Sequence, residues 1–398
     1  MELALVPPLR RPLRPERQPD PLRDRLANLV DEAVLELLDP ERIQAIAEDM
    51  RIVQRQRVHH SGLLLCSVIL SAFERSTDTE GRWLDAQRTY EALGGPPSGK
   101  TSFRNQARKL LPVMNELLRR RLDQLAQQAP TSALKGRLRD FTNVLVPDGC
   151  AFKVARALAG IYPGTGQDAE LKLHAVYNVA ARTATSLTLS AGRVHDSDGF
   201  WPIRWEKGAL YIWDLGFNSH KRFIDAAAGD ALVLQRLKDG SNPVVVASYG
   251  PTGARRAIPG DDGRPMRLLT ACQFGWVHHE RVLDLDVVIT DDRRSVLARV
   301  VCVPFGGQDR YYLTTLPRDV FTPHDVAELY RVRWEVELFF RNWKGAVRLD
   351  EVRRLEHPVS LQVAITASIL AAVLARDISL GLEHIAQNDA LSSSAFSP

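Results

Sequence analysis

Residues 330–344 constrain this chain more than any other stretch, because no Pro or Gly interrupts them and good helix formers dominate. At roughly 100° per residue, a helix here would place Tyr330, Arg333, Glu337 and Lys344 on one stripe about 60° wide. An apolar sector lies beside that stripe and contains Val332, Val336, Phe339, Phe340 and Trp343. The sequence therefore predicts one helix that carries a polar stripe next to its core-facing side. The alternative is an exposed helix with surface ion pairs, such as Arg333 with Glu337.

The composition predicts a soluble, cytoplasmic protein of two or three domains. The chain has 398 residues, 45% of them hydrophobic, and a net charge of +4 that permits a polyanionic partner without requiring one. No signal peptide is recognisable, and the apolar run 361–375 predicts a buried helix, with no membrane partner. The four cysteines form no CxxC pair and predict reduced thiols: Cys66, Cys150, Cys272 and Cys302.

The first part of the chain has helical periodicity and basic character. Residues 1–24 predict a disordered basic arm, and residues 25–140 predict a helical DNA-binding domain. Within it, a glycine-rich turn at 94–99 precedes a basic helix that begins near Ser102. This arrangement is similar to a helix-turn-helix, in which basic side chains contact DNA phosphates. The candidates are Arg104, Arg108 and Lys109, and the alternative is a helical bundle with a solvated basic face.

From about residue 139 the period changes to that of strands. Residues 141–240 and 241–318 predict strand-rich segments, 319–385 a helical segment, and 386–398 a flexible tail. Strands are expected at 143–147, 171–179, 184–189, 209–213, 244–248, 267–274, 283–290, 297–304 and 311–315.

Three carboxylates stand where a catalytic site is expected. Asp148 and Asp214 each follow an apolar strand, which places them at the rim of a sheet, and Glu337 comes from the helical stripe. Clustered carboxylates repel one another unless a divalent cation neutralises them, and Mg²⁺ or Mn²⁺ fits such oxygen ligands. Two such ions can activate a water or hydroxyl and stabilise the leaving oxygen in phosphoryl displacement. The alternative for each aspartate taken singly is a turn or capping carboxylate.

The motifs resemble those of a known family. The spacing of four residues resembles the Tyr-Arg-Glu-Lys signature of the insertion-sequence-four family of bacterial DDE transposases. Two residues separate Tyr330 from Arg333, three separate Arg333 from Glu337, and six separate Glu337 from Lys344. Residues 148–150 and 214–217 resemble the two aspartate motifs of that family, although Cys150 stands where Ser or Thr is commoner. Residues 192–197 resemble a family segment between them.

The resemblance implies an α/β fold: a ribonuclease-H-like catalytic core with a β-rich insertion, preceded by a helical N-terminal domain. Residues 141–240 would be the first part of the catalytic core, 241–318 the insertion, and 319–385 the second part of the core. The resemblance also implies that Asp148, Asp214 and Glu337 hold two Mg²⁺ or Mn²⁺ ions. Tyr330, Arg333 and Lys344 would grip phosphates near the cut end. Two further DNA contacts are candidates, Trp334 by stacking on an unpaired base and His195 at a phosphate or water; the alternatives are a core tryptophan and a structural histidine.

The function implied is that of a DNA transposase. It would bind the terminal inverted repeats of its element, cleave strands by metal-dependent hydrolysis, and join the 3′-OH ends to target DNA. A homodimer would pair two ends in a synaptic complex, in a nucleoid-associated bacterial protein. The alternatives are a metal-dependent nuclease without strand transfer, a decayed DNA-binding protein without catalysis, and a structural helical protein.

Overall fold

A computed structural model describes residues 21–52, 59–74, 79–129, 133–199, 205–238, 240–250, 253–256, 265–277, 282–347, 352 and 354–394. Most of the predicted basic arm lies outside this range, although helix α1 already begins at Pro21. The chain divides into two compact units, one formed by residues 1–39 with 374–398 and the other by residues 40–373. All the candidate site residues belong to the second unit. The predicted domain boundaries stay a prediction.

The part before the sheet is helical where it is described. Its helices are α1 (Pro21–Leu38), α2 (Pro40–Asp49), α3 (Ser61–Leu70), α4 (Thr79–Ala92), α5 (Lys100–Lys109) and α6 (Leu111–Gln128). The basic helix expected from Ser102 onward is interrupted at Leu110. Pro112 explains the interruption, because proline has no amide hydrogen and its ring clashes with the carbonyl four residues earlier.

One sheet of ten strands forms the centre of the described structure, in the order β3-β2-β1-β4-β5-β10-β9-β8-β6-β7. The strands are β1 (Val144–Lys153), β2 (Glu170–Asn178), β3 (Thr183–Ala191), β4 (Leu210–Trp213), β5 (Leu232–Arg236), β6 (Val244–Tyr249), β7 (Arg255–Arg256), β8 (Leu283–Thr290), β9 (Ser295–Phe305) and β10 (Gln308–Thr314).

The first five strands are arranged as a ribonuclease-H-like core requires. Strands β1, β2 and β3 form an antiparallel meander, whereas β4 pairs parallel to β1, and β5 pairs parallel to β4. The parallel strands are buried on both faces: Val144, Leu145 and Val146 are all buried in β1. The mixed α/β fold with a large sheet is therefore consistent with the predicted core.

The strands of the expected insertion continue the same sheet. Strand β10 pairs antiparallel with both β5 and β9, and β8 pairs with β9 and β6. One expected strand is wrong, since residues 267–274 contribute instead to helix α9 (Leu268–Val277). The helical period explains this: Leu268 and Cys272, four residues apart, are both buried in the core cluster.

Helices cover both faces of the sheet. On one face, α8 (His220–Ala228) and α9 complete a core cluster whose strand members include Leu145, Trp213 and Val233. On the other face, α10 (Pro323–Arg331) lies against β5 and β9, and α11 (Arg333–Val347) lies against β1. A short helix α7 (Asp196–Gly199) follows β3. Leu145 faces the cluster on the α8 side, and Asp148 comes three residues later in β1. Because side chains alternate along a strand, Asp148 faces the opposite side, where α11 lies.

The prediction of one continuous helix across residues 330–344 is wrong, because α10 ends and α11 begins around Val332. The Val332 amide donates to the carbonyls of Leu329 and Tyr330, and the Glu335 amide donates back to the Val332 carbonyl at 2.9 Å. These short-range bonds tighten the chain into a 3₁₀-like turn. Tyr330 at the end of α10 turns inward, where its ring packs on Tyr312 with centroids 4.9 Å apart.

The last helix, α12 (Pro358–Ser394), is longer than the expected apolar run. Its stretch from Pro358 to Gln387 is long and apolar enough to span a membrane, yet 72% of the most apolar window is buried within the protein, as in a core helix. The four cysteines are buried free thiols, as the sequence predicts.

Candidate active site

The first acidic residue, Asp148, lies inside β1 and not beyond its end. The strand runs on to Lys153 because residues 145–153 pair in register with β2, and Asp148 stands opposite Ala175. Its Oδ1 atom accepts a hydrogen bond from the Gly149 amide at 2.8 Å. The expected end of the strand at residue 147 is therefore wrong, because pairing with a distant strand extends it past the aspartate.

The second acidic residue, Asp214, directly follows β4 as expected. Its Oδ1 atom caps the next turn by accepting a hydrogen bond from the Leu215 amide at 2.6 Å. The parallel register of β1 and β4 pairs Val144 with Leu210. Continuing that register by four residues brings Asp148 level with Asp214, so the two carboxylates come from neighbouring strands at the same height.

The third acidic residue, Glu337, and Arg333 lie one turn apart at the start of α11. The Arg333 Nη2 atom contacts Glu337 Oε1. The Nη1 atom of Arg333 lies 3.9 Å from Oδ2 of Asp148 and 3.9 Å from Oδ2 of Asp214. One guanidinium thus lies among all three carboxylates, so the two sheet residues and the helix residue share one site.

The electrostatics of the site reflect concentrated negative charge. Burial raises the pKa of Asp148 to about 6, and the charges of Asp214 and Asp196 add to this rise, while the Gly149 amide and Arg333 oppose it. Burial disfavours the charge of Arg333, but Asp214 and the other surrounding groups outweigh it and raise the pKa of the guanidinium. A carboxyl group with such a raised pKa is one that a cation would stabilise in its ionised form.

The donor set fits a divalent cation, although the side chains are not arranged around one. Within the described ranges, no three Asp, Glu, His or Cys side chains form a group already shaped to hold a metal ion. The reason is the Arg333 guanidinium, which lies between the acids. The carboxylates of Asp148, Asp214 and Glu337 are the hard oxygen ligands that Mg²⁺ and Mn²⁺ prefer. These three side chains are therefore the residues that would hold such an ion.

Tyr330 does not lie on the polar stripe that was expected to carry it with Arg333 and Glu337. It is only 7% exposed, and its hydroxyl is a buried atom with no hydrogen-bond partner among the described residues. Burial raises the pKa of Tyr330, and the charge of nearby Asp214 adds to this effect whereas Arg333 opposes it. Tyr330 therefore lies beneath the acidic site, between Tyr312 and Arg333.

The other predicted contacts near the site are exposed. Lys344 is exposed on α11, and Trp334 is 54% exposed with the Arg341 guanidinium 5.6 Å from its ring centre. The alternative of a core tryptophan at position 334 is therefore wrong. His195 is exposed immediately before α7.

The predicted DNA-binding residues of the basic helix lie on α5, outside the acidic site. Arg104 forms an ion pair with Glu80 at 2.9 Å, and Arg108 donates a hydrogen bond to the Ser360 hydroxyl at 2.7 Å. Lys109 is exposed. Two of these three cations are thus engaged within the protein, and a DNA-binding role for the three stays a prediction.

Sequence reasoning missed a fourth carboxylate, Asp196, whose charge reaches Asp148. It belongs to the 192–197 segment, in which only His195 had been singled out. The available signal was the run Asp196-Ser197-Asp198 directly after a strand and its turn, a place where an acidic side chain can point back to the sheet.

These observations define the class of the protein: a mixed α/β fold with a large central sheet, in which three acidic residues converge on one arginine. The model of the transposase DDE domain family matches residues 135–374, more than half of the chain. The chain belongs to this family.

Individual relatives are transposases of bacterial insertion sequences. The chain is 42% identical over 66 residues to a putative transposase of element IS186A from Escherichia coli K12, a match covering 17% of this chain and 18% of that protein. It is 22% identical over 370 residues to the transposase of element IS231C from Bacillus thuringiensis subsp. berliner. This match covers 82% of this chain and 75% of that protein. A piggyBac transposase in a synaptic complex with hairpin DNA has a TM-score of 0.33 at 10% identity, covering 89% of this chain and 75% of that one.

Proposed function

We propose that this chain is a DNA transposase that cleaves DNA at the ends of its element and joins the freed 3′-OH ends to a target. The observation that carries the proposal is the meeting of three carboxylates around Arg333, on the strands and helix of a family member. The spacing of Tyr330, Arg333, Glu337 and Lys344 supports the narrower assignment to the insertion-sequence-four group. Its DNA substrate would be the terminal inverted repeats, bound by a homodimer that pairs two ends.

Asp148, Asp214 and Glu337 would hold the divalent cations of this reaction, two Mg²⁺ or Mn²⁺ ions. When bound, such ions activate a water or a 3′-OH as nucleophile and stabilise the leaving oxygen. The strand positions of Asp148 and Asp214 fix their carboxylates at the same height, which limits the rearrangement needed on binding. One set of ligands would serve cleavage and joining, since the two steps differ only in the attacking oxygen.

Arg333 would act as the phosphate-binding residue of the site. Its guanidinium is already directed at the acids, and a DNA phosphate brought there would compete with the carboxylates for its donors. Tyr330 lies beneath the arginine and would position it instead of contacting DNA. Lys344 and Trp334, both exposed on α11, would contact the flanking phosphates and an unpaired base.

The test is strand cleavage by Asp148→Asn and Glu337→Gln variants on a duplex that carries the inverted repeat bracketing the coding region. Both changes remove a ligand charge while keeping the side-chain shape, so cleavage should fall by about 100-fold or more in Mg²⁺. Binding to the same duplex, measured by gel shift in the absence of divalent ions, should survive. A pre-cut end tests joining separately and distinguishes a transposase from a nuclease that only cleaves.

The matched control is Glu328→Gln, the same substitution at an exposed position of α10. It should cleave like the wild type. Cleavage at the wild-type rate by Asp148→Asn or Glu337→Gln in ordinary Mg²⁺ would contradict the proposed function.

A further inference from the structure

A fourth carboxylate, that of Asp196, reaches the acidic site from outside the three positions assigned above. Asp196 is the first residue of α7, and its side chain is partly buried. Its Oδ1 atom lies 3.2 Å from Lys172 Nζ and 4.0 Å from His174 Nδ1, both of which belong to β2. The side chain therefore turns back from the helix onto the sheet.

One glycine makes room for this carboxylate, and a second glycine lies beside it. A Cβ atom on Gly149 would overlap with the Oδ1 atom of Asp196, and a Cβ atom on Gly216 would lie 3.7 Å from its Oδ2 atom. Gly149 directly follows Asp148 in β1, and Gly216 belongs to the turn that Asp214 caps. The Asp196 carboxylate thus lies between the backbone that carries the first acidic residue and the turn that follows the second.

The charge of Asp196 is only partly balanced. Lys172 is its nearby cation, and the side chain of that lysine is held in place by donating to the Val194 carbonyl at 2.9 Å. Burial lowers the pKa of His174, whose Nε2 atom pairs with the Ser190 hydroxyl at 2.7 Å, so a neutral imidazole faces the carboxylate. The Oδ1 atom of Asp196 thus has a cation at ion-pair distance, whereas its Oδ2 atom lies on the side of Gly216 and the turn that Asp214 caps.

We propose that Asp196 is a positioning residue of the acidic site. Its carboxylate lies beside the backbone that follows Asp148 and beside the turn that Asp214 caps, and its negative charge strengthens the binding of a divalent cation by Asp148 and Asp214. This inference rests on the proposed function, because it assigns Asp196 to the same cation site. Charged groups behind metal ligands orient those ligands and raise cation affinity in the same way.

The experiment measures Mn²⁺ affinity of the full chain by electron paramagnetic resonance, which detects free Mn²⁺ directly. Asp196→Asn keeps the shape of the side chain and removes its charge, so Mn²⁺ should bind roughly 10-fold more weakly. Gly149→Ala keeps the charge but displaces the carboxylate, because the added methyl group overlaps with Oδ1. It should also weaken Mn²⁺ binding, and thermal unfolding of each variant will show that the fold is retained.

The control is Asp198→Asn on the same helix, whose exposed side chain faces Arg222 instead of the acidic site. It should bind Mn²⁺ like the wild type. Asp196→Asn with wild-type affinity, alongside a loss in Asp148→Asn, would overturn this inference and leave the proposed function intact. A wild-type chain that binds no Mn²⁺ would contradict the proposed function, and the inference with it.

Discussion

At the level of single residues, Arg333 neutralises the acidic site in the absence of metal. Asp148, Asp214 and Glu337 would otherwise repel one another across a partly buried space, and the guanidinium contacts each of them. If these acids hold the proposed ions, the same side chain opposes metal binding, because an ion must displace it from the carboxylates. When DNA enters, a phosphate offers the arginine a new anionic partner, so substrate binding and metal binding should favour each other.

Replacing Arg333 by Met should separate these two effects. Without metal, the variant should be less stable than the wild type by about 1–2 kcal/mol, because the carboxylates lose their cation. Its Mn²⁺ affinity should rise, since no guanidinium has to leave. Urea unfolding in chelator and Mn²⁺ titration measure the two quantities. Arg331→Met, at an exposed position two residues earlier, is the control. An unchanged or weaker Mn²⁺ affinity in Arg333→Met would refute this account.

At the level of elements, the turn at Val332 decides which side chains α11 presents. It leaves Tyr330 in the core as the end of α10 and makes Arg333 the first residue of a new helix. Arg333 and Glu337 then point to the sheet, whereas Trp334 and Lys344 are exposed. The turn thus separates a buried tyrosine from the arginine and glutamate that face the two aspartates.

Lys344→Ala tests whether the exposed side of α11 binds DNA. Loss of one phosphate contact should weaken binding and reduce the slope of log K against log salt by about 0.9. The measurement is fluorescence anisotropy of a labelled duplex over a series of salt concentrations. Lys221→Ala, an exposed lysine on α8 at the other face of the sheet, should leave the slope unchanged. Equal slopes for Lys344→Ala and the wild type would exclude a phosphate contact at this position.

Local patterns in the sequence predicted much of this arrangement. Apolar runs followed by an aspartate predicted that Asp148 and Asp214 lie at neighbouring strands, and the structure brings them together; their role as metal ligands stays a prediction. The turn at Val332 was not predictable, because Tyr330 is drawn inward by packing on Tyr312 of a distant strand. Asp196 was missed for the same reason, because its position depends on the space beside Gly149 and not on the residues next to it in the sequence.

At the level of the whole molecule, a buried ionic network connects the inserted strands to the helices of the site. Arg299 of β9 donates to both carboxylate oxygens of Asp284 in β8, each at 2.8 Å, and also to the carbonyls of Leu316 and Phe321. Arg318 adds an ion pair to Asp284 at 3.1 Å. Because residues 316–321 lead directly into α10, the network holds the start of the helical segment against the sheet.

Arg299→Met should therefore destabilise the protein strongly. Arg299 and Asp284 are both about 5% exposed, and the substitution leaves the buried carboxylate with Arg318 alone and removes the donor of two carbonyls. We expect a loss of about 3 kcal/mol in the free energy of unfolding. Arg294→Met removes more exposed ion pairs to Asp225 and Asp291 and should cost clearly less, because water screens exposed pairs. A urea titration that shows equal losses for the two variants would disprove the importance of the buried network.

The extent of the sheet was beyond sequence reasoning. Alternating apolar residues predicted most of the later strands, but they carry no information about their partners. The pairing of β10 with β5 joins residues separated by about eighty positions, for example Thr314 with Leu234. The core and the expected insertion therefore share one set of backbone hydrogen bonds, where the sequence had indicated a separate segment.

This continuity has a consequence for how such a protein can change over evolutionary time. Because β10 returns the chain to α10, the outermost strands β6 and β7 can change in length in descendants without moving the residues that enter the acidic site. Strand β8 has less freedom to diverge, because its Asp284 belongs to the buried network that holds the start of α10.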